Sequence, residues 1–160
     1  MRKFSEITSS VQLNLLLKVL YPKFDTHVIP SDFVNEIEPK MNQIIIINFD
    51  KSYGSGTHWV CTIINNQRWA IYYDSYAVDP PDVVLNYLRR AKKIGLVKDI
   101  IMTTNEIQTF KEDWCGWACL AFIDHIVNWN QPPWDAGNTL DGAKILKYGK
   151  QLFKKYLSKI

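Results

Sequence analysis

The chain has 160 residues, 47% of them hydrophobic and 13% aromatic, and a formal net charge of +3. That length and apolar content predict a single domain over residues 1–160 with a real core, and argue against a disordered chain. Three cysteines, at 61, 115 and 119, are too few and too unevenly spread for a disulfide framework, and no apolar run approaches membrane-spanning length. Residues 4–12 are mixed and polar, without the basic-then-apolar order of a secretory signal. Free thiols in a reducing compartment are therefore expected.

The first predicted element is a helix over residues 10–20, stopped by Pro22. Residues 21–43 read as loop plus one short helix, with Ser31 as N-cap and Pro39 as its end. His27 falls in that loop and reads as an ordinary surface histidine. The β-branched run 44–49 predicts a buried central strand. A glycine-containing loop, D-K-S-Y-G-S-G-T, then delivers His58.

Residues 58–64 and 68–75 predict two antiparallel strands joined over Asn65, Asn66 and Gln67. Pairing Ile64 with Arg68 puts His58 opposite Asp74, with Cβ atoms about 5 Å apart on one face. A one-residue error in the turn would offset the pair. Cys61, three residues from His58, points to the other face and belongs to the core.

Pro80 and Pro81 open a helix to about residue 93, and residues 97–102 predict another strand. Residues 103–112 form a polar connection carrying Gln108. Cys115 then begins a helix whose apolar residues, from Ala118 to Val127, recur at helical spacing. A thiolate at that helix start faces backbone N–H groups and the positive end of the helix dipole, which favours the nucleophilic form. Gly116 leaves room for a substrate backbone. A small apolar cysteine capping a core helix explains the same residue more plainly. His125 sits roughly 15 Å along the helix axis from Cys115 and is no partner for it. Pro132, Pro133 and Gly137 mark a loop before a last helix from about residue 141 to 156.

The ordered set His58-Trp59, Asp74, Gln108 and Cys115-Gly116 resembles the clan of cysteine peptidases that contains the adenovirus protease and the SUMO proteases. The resemblance covers roughly residues 44–127. Papain-type enzymes run Cys before His, against the order here. The six-residue spacing from Gln108 to Cys115 and the glycines before His58 resemble the viral branch, whereas Asp74 in Y-Y-D-S is closer to the SUMO-protease style. The stretch D-S-Y-A-V-D-P-P and C-G-x-x-C resemble copies in virophages, Polinton-like elements and related small double-stranded DNA viruses.

The resemblance implies an α+β fold, a mixed central sheet packed against a helix with the catalytic Cys at its N-terminus. It implies Cys115 as nucleophile, His58 as base, Asp74 as orienting acid and Gln108 as oxyanion donor, with Trp59, Trp114 and Gly116 at the substrate. It implies cleavage of viral capsid or core precursors after Gly or another small residue, in the virion or infected cell. The expected enzyme is a monomer without cofactor or metal, acting away from membranes, with a peptide activator as one open requirement. Sequence-independent DNA binding is a further expectation, from Arg89, Arg90, Lys92 and Lys93 on one helix and six lysines on the last. Solvated helix faces explain those charges more cheaply. Three rivals stay open: a deconjugase for a ubiquitin-like modifier, an inactive binding domain of the same fold, and a zinc module using Cys115, Cys119 and a histidine, for which no fourth ligand at sensible spacing appears.

Overall fold

The computed structural model describes residues 3–50, 57–103 and 113–159. The fold is α+β: a five-stranded mixed sheet in the order β1-β2-β3-β4-β5, with helices on both faces. Its strands are β1 (Asp25–Pro30), β2 (Gln43–Asp50), β3 (Thr57–Ile64), β4 (Trp69–Tyr73) and β5 (Asp99–Met102). The three inner strands run antiparallel, and each edge strand lies parallel to its neighbour.

Ile44, Ile45, Ile46 and Ile47 of β2 are all fully buried, because a central strand covered on both faces has no polar side to present. Ile44 and Ile46 join one core with α1 (Ser10–Leu20), α3 (Cys115–Val127) and α5 (Gly142–Leu152). Ile45 and Ile47 join the other, against α2 (Asp82–Lys93) and the 3-10 turn Ser31–Glu36. Helix α1 is held at its start by a reciprocal cap, Ser9 accepting from the Gln12 N–H and Gln12 accepting from the Ser9 N–H.

Three expectations change. Residues 25–30 form a strand, not a loop. D-T-H-V-I-P has little apolar signal because β1 is a half-buried edge whose Pro30 comes at its end. His27 lies on this strand, half-buried, with Nε2 2.9 Å from Asp25 Oδ2. Residues 133–139 form a short helix, α4 (Pro133–Thr139), with Pro133 at its first position, where a fixed φ and a missing N–H cost nothing. The β3–β4 hairpin also turns one residue later than expected. Asn65 and Trp69 close it, and Arg68 takes a left-handed conformation with φ 66°. Arg68 is thus consumed by the turn, its guanidinium donating to the Gly95 carbonyl at 2.7 Å. Ile64 pairs with Ala70 instead of Arg68.

On the α3 side, α5 crosses close because Gly149 has no side chain. A Cβ there would sit 2.8 Å from the Trp117 ring. Gly to Ala in an open helix is worth up to about 1 kcal/mol of stability. Gly149→Ala should instead destabilise by about 1–3 kcal/mol through overpacking, read as a lower denaturant midpoint with an unchanged slope.

Candidate active site

The site forms at one end of the sheet, where β3 begins and β4 finishes. His58 and Asp74 both project toward the α2 face. The two-residue shift in hairpin register moves them from opposite to diagonal positions but keeps their face, since only an odd slip flips a strand. His58 Nε2 lies 2.7 Å from Asp74 Oδ1, and both residues are buried, 7% and 4% exposed.

Asp74 is fixed from three directions. Its Oδ1 also accepts from the Tyr76 N–H at 2.8 Å, and its carbonyl accepts from the Ala77 N–H at 2.9 Å, a turn closed by the aspartate's own side chain. Its N–H donates to Thr103 Oγ1 at 3.4 Å. The Tyr76 ring stacks on the imidazole with centroids 4.2 Å apart and planes 22° from parallel.

Cys115 approaches from the other face, as the first residue of α3. The Trp59 N–H donates to its Sγ at 3.3 Å, which holds the sulfur beside the strand residue that follows His58. With Nε2 given to Asp74, the buried Nδ1 makes no hydrogen bond among the described residues. The Cys115 thiol is near enough to act on the charge of the imidazole. Burial by itself would push the imidazole pKa down. The hydrogen bond the ring donates to Asp74, then the Cys115 thiol, and the charges of both more than offset it, and the pKa is raised above its ordinary 6.5. Protonation of His58 therefore favours the folded state. That contribution is complete below pH 6.5 and is lost as pH rises through the raised value.

The other thiols sit deeper. Cys119 donates to the Trp59 carbonyl at 3.6 Å, and burial, together with Cys61, pushes its pKa well up. Cys61 is fully buried in the α3-side core. Among the described residues no cluster of three or more His, Cys, Asp or Glu side chains is arranged to hold a metal ion, and no helix is long and apolar enough to cross a membrane.

His58, Asp74 and Cys115 are thus brought together, and Trp59 reaches the sulfur through its backbone. Trp114 caps α3, 3% exposed, and lies against Gly142, where a Cβ would be 3.2 Å from its ring. The space beside Gly116 is filled by the protein itself: a Cβ there would be 1.9 Å from Thr8 Oγ1. Gln108 and the glycines before His58 lie outside the described residues. Of the basic helix, Arg90 is spent within the fold, donating to the Asn35 and Ile37 carbonyls at 3.3 and 3.2 Å. Tyr76, Thr103 and Thr8 were not singled out from the sequence. The D-S-Y-A turn signal could have pointed to Tyr76, whereas Thr8 and Thr103 meet the site only through the tertiary fold.

No protein-family model matches the sequence, and no curated protein matches it. The class the fold defines is seen among solved structures. Two crystal structures titled ASFV pS273R protease, one of them the selenomethionine form, are similar in fold, with TM-scores of 0.72 and 0.71. Each is 17% identical over 91% of this chain and 67% of its own. That likeness fixes the shared architecture.

Gly116→Ala tests the fit at the first turn of α3. A methyl group there must displace a buried threonine, and a loss of about 1–3 kcal/mol is expected. The double variant with Thr8→Gly should recover part of that loss relative to Thr8→Gly alone. Purely additive losses in a double-mutant cycle would mean the two residues do not press on one another.

Proposed function

We propose that the chain is a cysteine endopeptidase of the viral maturation type. The observation that carries this is the imidazole of His58 hydrogen-bonded to a buried carboxylate, with a thiol at a helix N-terminus near enough to act on its charge. The raised His58 pKa favours an imidazolium beside the Cys115 sulfur, the charge state in which the thiolate is ready to attack. Sγ bonds to the peptide carbonyl carbon, and the carbonyl oxygen develops charge at the start of α3, where the helix dipole is favourable. On the resemblance, Gln108 adds an amide donor there; losing one such donor typically costs about 2.7–4 kcal/mol. The C–N bond then breaks as His58 gives its proton to the leaving amine. Water, deprotonated by His58, hydrolyses the thioester and restores the thiol.

The proposed substrates are capsid or core precursors cut after Gly or another small residue. That the fold neighbours are a protease of ASFV accords with a viral role, and the D-S-Y-A-V-D-P-P stretch favours the virophage and Polinton-like branch within it. The aspartate as acid keeps one second reading in view, a deconjugase for a ubiquitin-like modifier. Cleavage of short unstructured peptides as readily as of a folded modifier fusion separates the two.

Cys115→Ala should abolish peptide cleavage while leaving the unfolding curve close to wild type, since removing one sulfur is a modest change in volume. A thiol-reactive probe near neutral pH should map to Cys115. Labelling of Cys61 or Cys119 with Cys115 inert would overturn the assignment.

Asp74→Asn gives a second test, with a defined sign. Without the carboxylate that raises it, the imidazolium is lost at lower pH, so the alkaline limb of kcat/KM should move down in pH. An unmoved limb in a folded variant would remove Asp74 from its proposed role.

A further inference from the structure

On the α2 face of the sheet, directly beside the imidazole, lies a pocket of about 300 Å³ that the chemistry above does not use. Its floor is Phe49, the cross-strand neighbour of His58, together with Tyr72 of β4. Val78 and Pro81, from the segment between the Asp74 turn and α2, form its outer wall, and Asp79 stands at the rim. Val78 leaves 53% of its surface exposed. The lining is apolar apart from the aspartates and the imidazole.

The position of this pocket follows from the order of bond breaking. The amine released in acylation must take its proton from His58, so the chain after the cut departs across the imidazole. One ring face is covered by Tyr76, and Nε2 is held by Asp74. His58 itself lines the pocket, so the first one or two residues beyond the scissile bond, with Cα atoms about 3.8 Å apart, are the ones placed to enter it. Its volume is at the small end for ligand clefts, about 300–1,000 Å³, which suits one side chain better than a cofactor. The rim carboxylate opposes an acidic group.

We propose that this pocket takes a large apolar side chain from the first or second residue after the cut, and that Val78 sets the selectivity. The proposal rests on the endopeptidase reading and extends it to the leaving side of the substrate.

Peptides sharing one sequence before the cut and carrying Leu, Phe, Gly or Asp at each of the two following positions test it. At one of those positions kcat/KM should rank Leu and Phe above Gly and Gly above Asp, with about tenfold between Leu and Gly from partial burial of the side chain. Val78→Trp, which fills the pocket, should collapse the Leu-to-Gly ratio toward one. Val78→Lys, which replaces an apolar wall by a cation, should raise Asp relative to Gly. Both ratios are taken within one enzyme, so a general loss of activity does not imitate the effect, and each variant checks the other if one fails to fold. A flat wild-type profile at both positions, or ratios unmoved in both variants, overturns the pocket while Cys115-dependent cleavage stands. If wild type cuts no peptide and Cys115 ignores a thiol-reactive probe, the endopeptidase reading fails and the pocket assignment falls with it.

Discussion

The two hydrogen bonds of the Trp59 peptide unit determine where everything else in the site must be. Its N–H donates to Cys115 Sγ and its carbonyl accepts from Cys119 Sγ. Residues four apart lie one above the other on a helix face, so a single strand residue grips α3 at both points and fixes its height along β3. His58 is the residue before Trp59, and successive strand residues face opposite ways. The imidazole therefore comes from the α2 face and the Cys115 thiol from the α3 face, and they can meet only at the end of the sheet. The Trp59 ring, buried in the α3-side core, anchors that peptide unit. Its place next to His58 is a consequence of packing.

Much of this was legible because it rests on periodicity and parity. The run Ile44–Ile47 could only be a strand buried on both sides, and an apolar helix opening on Cys115-Gly116 followed from spacing alone. The His58–Asp74 pairing was legible for a subtler reason. The turn was placed one residue early, since nothing in Arg68 announces a left-handed conformation that glycine or asparagine usually supplies. That error slid the register by two residues, and an even slip preserves the face. Diagonal neighbours about 7–8 Å apart are still within reach of a histidine and an aspartate. A slip of one would have hidden the pair.

What could not be read depends on tertiary contact. Edge strand β1 draws its stability from pairing with β2, so its own sequence carries little signal. Gly116 looked like an opening for substrate, yet its empty side is occupied by Thr8, from the segment before α1. That segment is tied to the same helix twice more: the Trp117 indole donates to the Ser5 carbonyl at 2.9 Å, and Phe4 stacks on the Trp117 ring with centroids 5.5 Å apart. Trp117 in turn meets Gly149 on its other side. Two glycines let the start of the chain and α5 close on the first turn of α3, an arrangement that sequence spacing does not encode.

The conformation of the turn after Asp74 shows how strongly the fold imposes this arrangement. Ala77 lies at φ 57°, where a residue with a Cβ is strained by about 1–2 kcal/mol. Such strain persists only where neighbouring contacts outweigh it. Here those contacts are the Tyr76 N–H on the Asp74 carboxylate, the Ala77 N–H on the Asp74 carbonyl and the Tyr76 ring on the imidazole. All three serve the His58–Asp74 pair. A longer acid would leave the same backbone less closely tied, because Asp bonds the N–H two residues on without an added rotatable link. The strained alanine then sends the chain back along the imidazole, so that Val78 and Pro81 wall the pocket at its flank. The turn that orients the imidazole thus also shapes the surface at its flank.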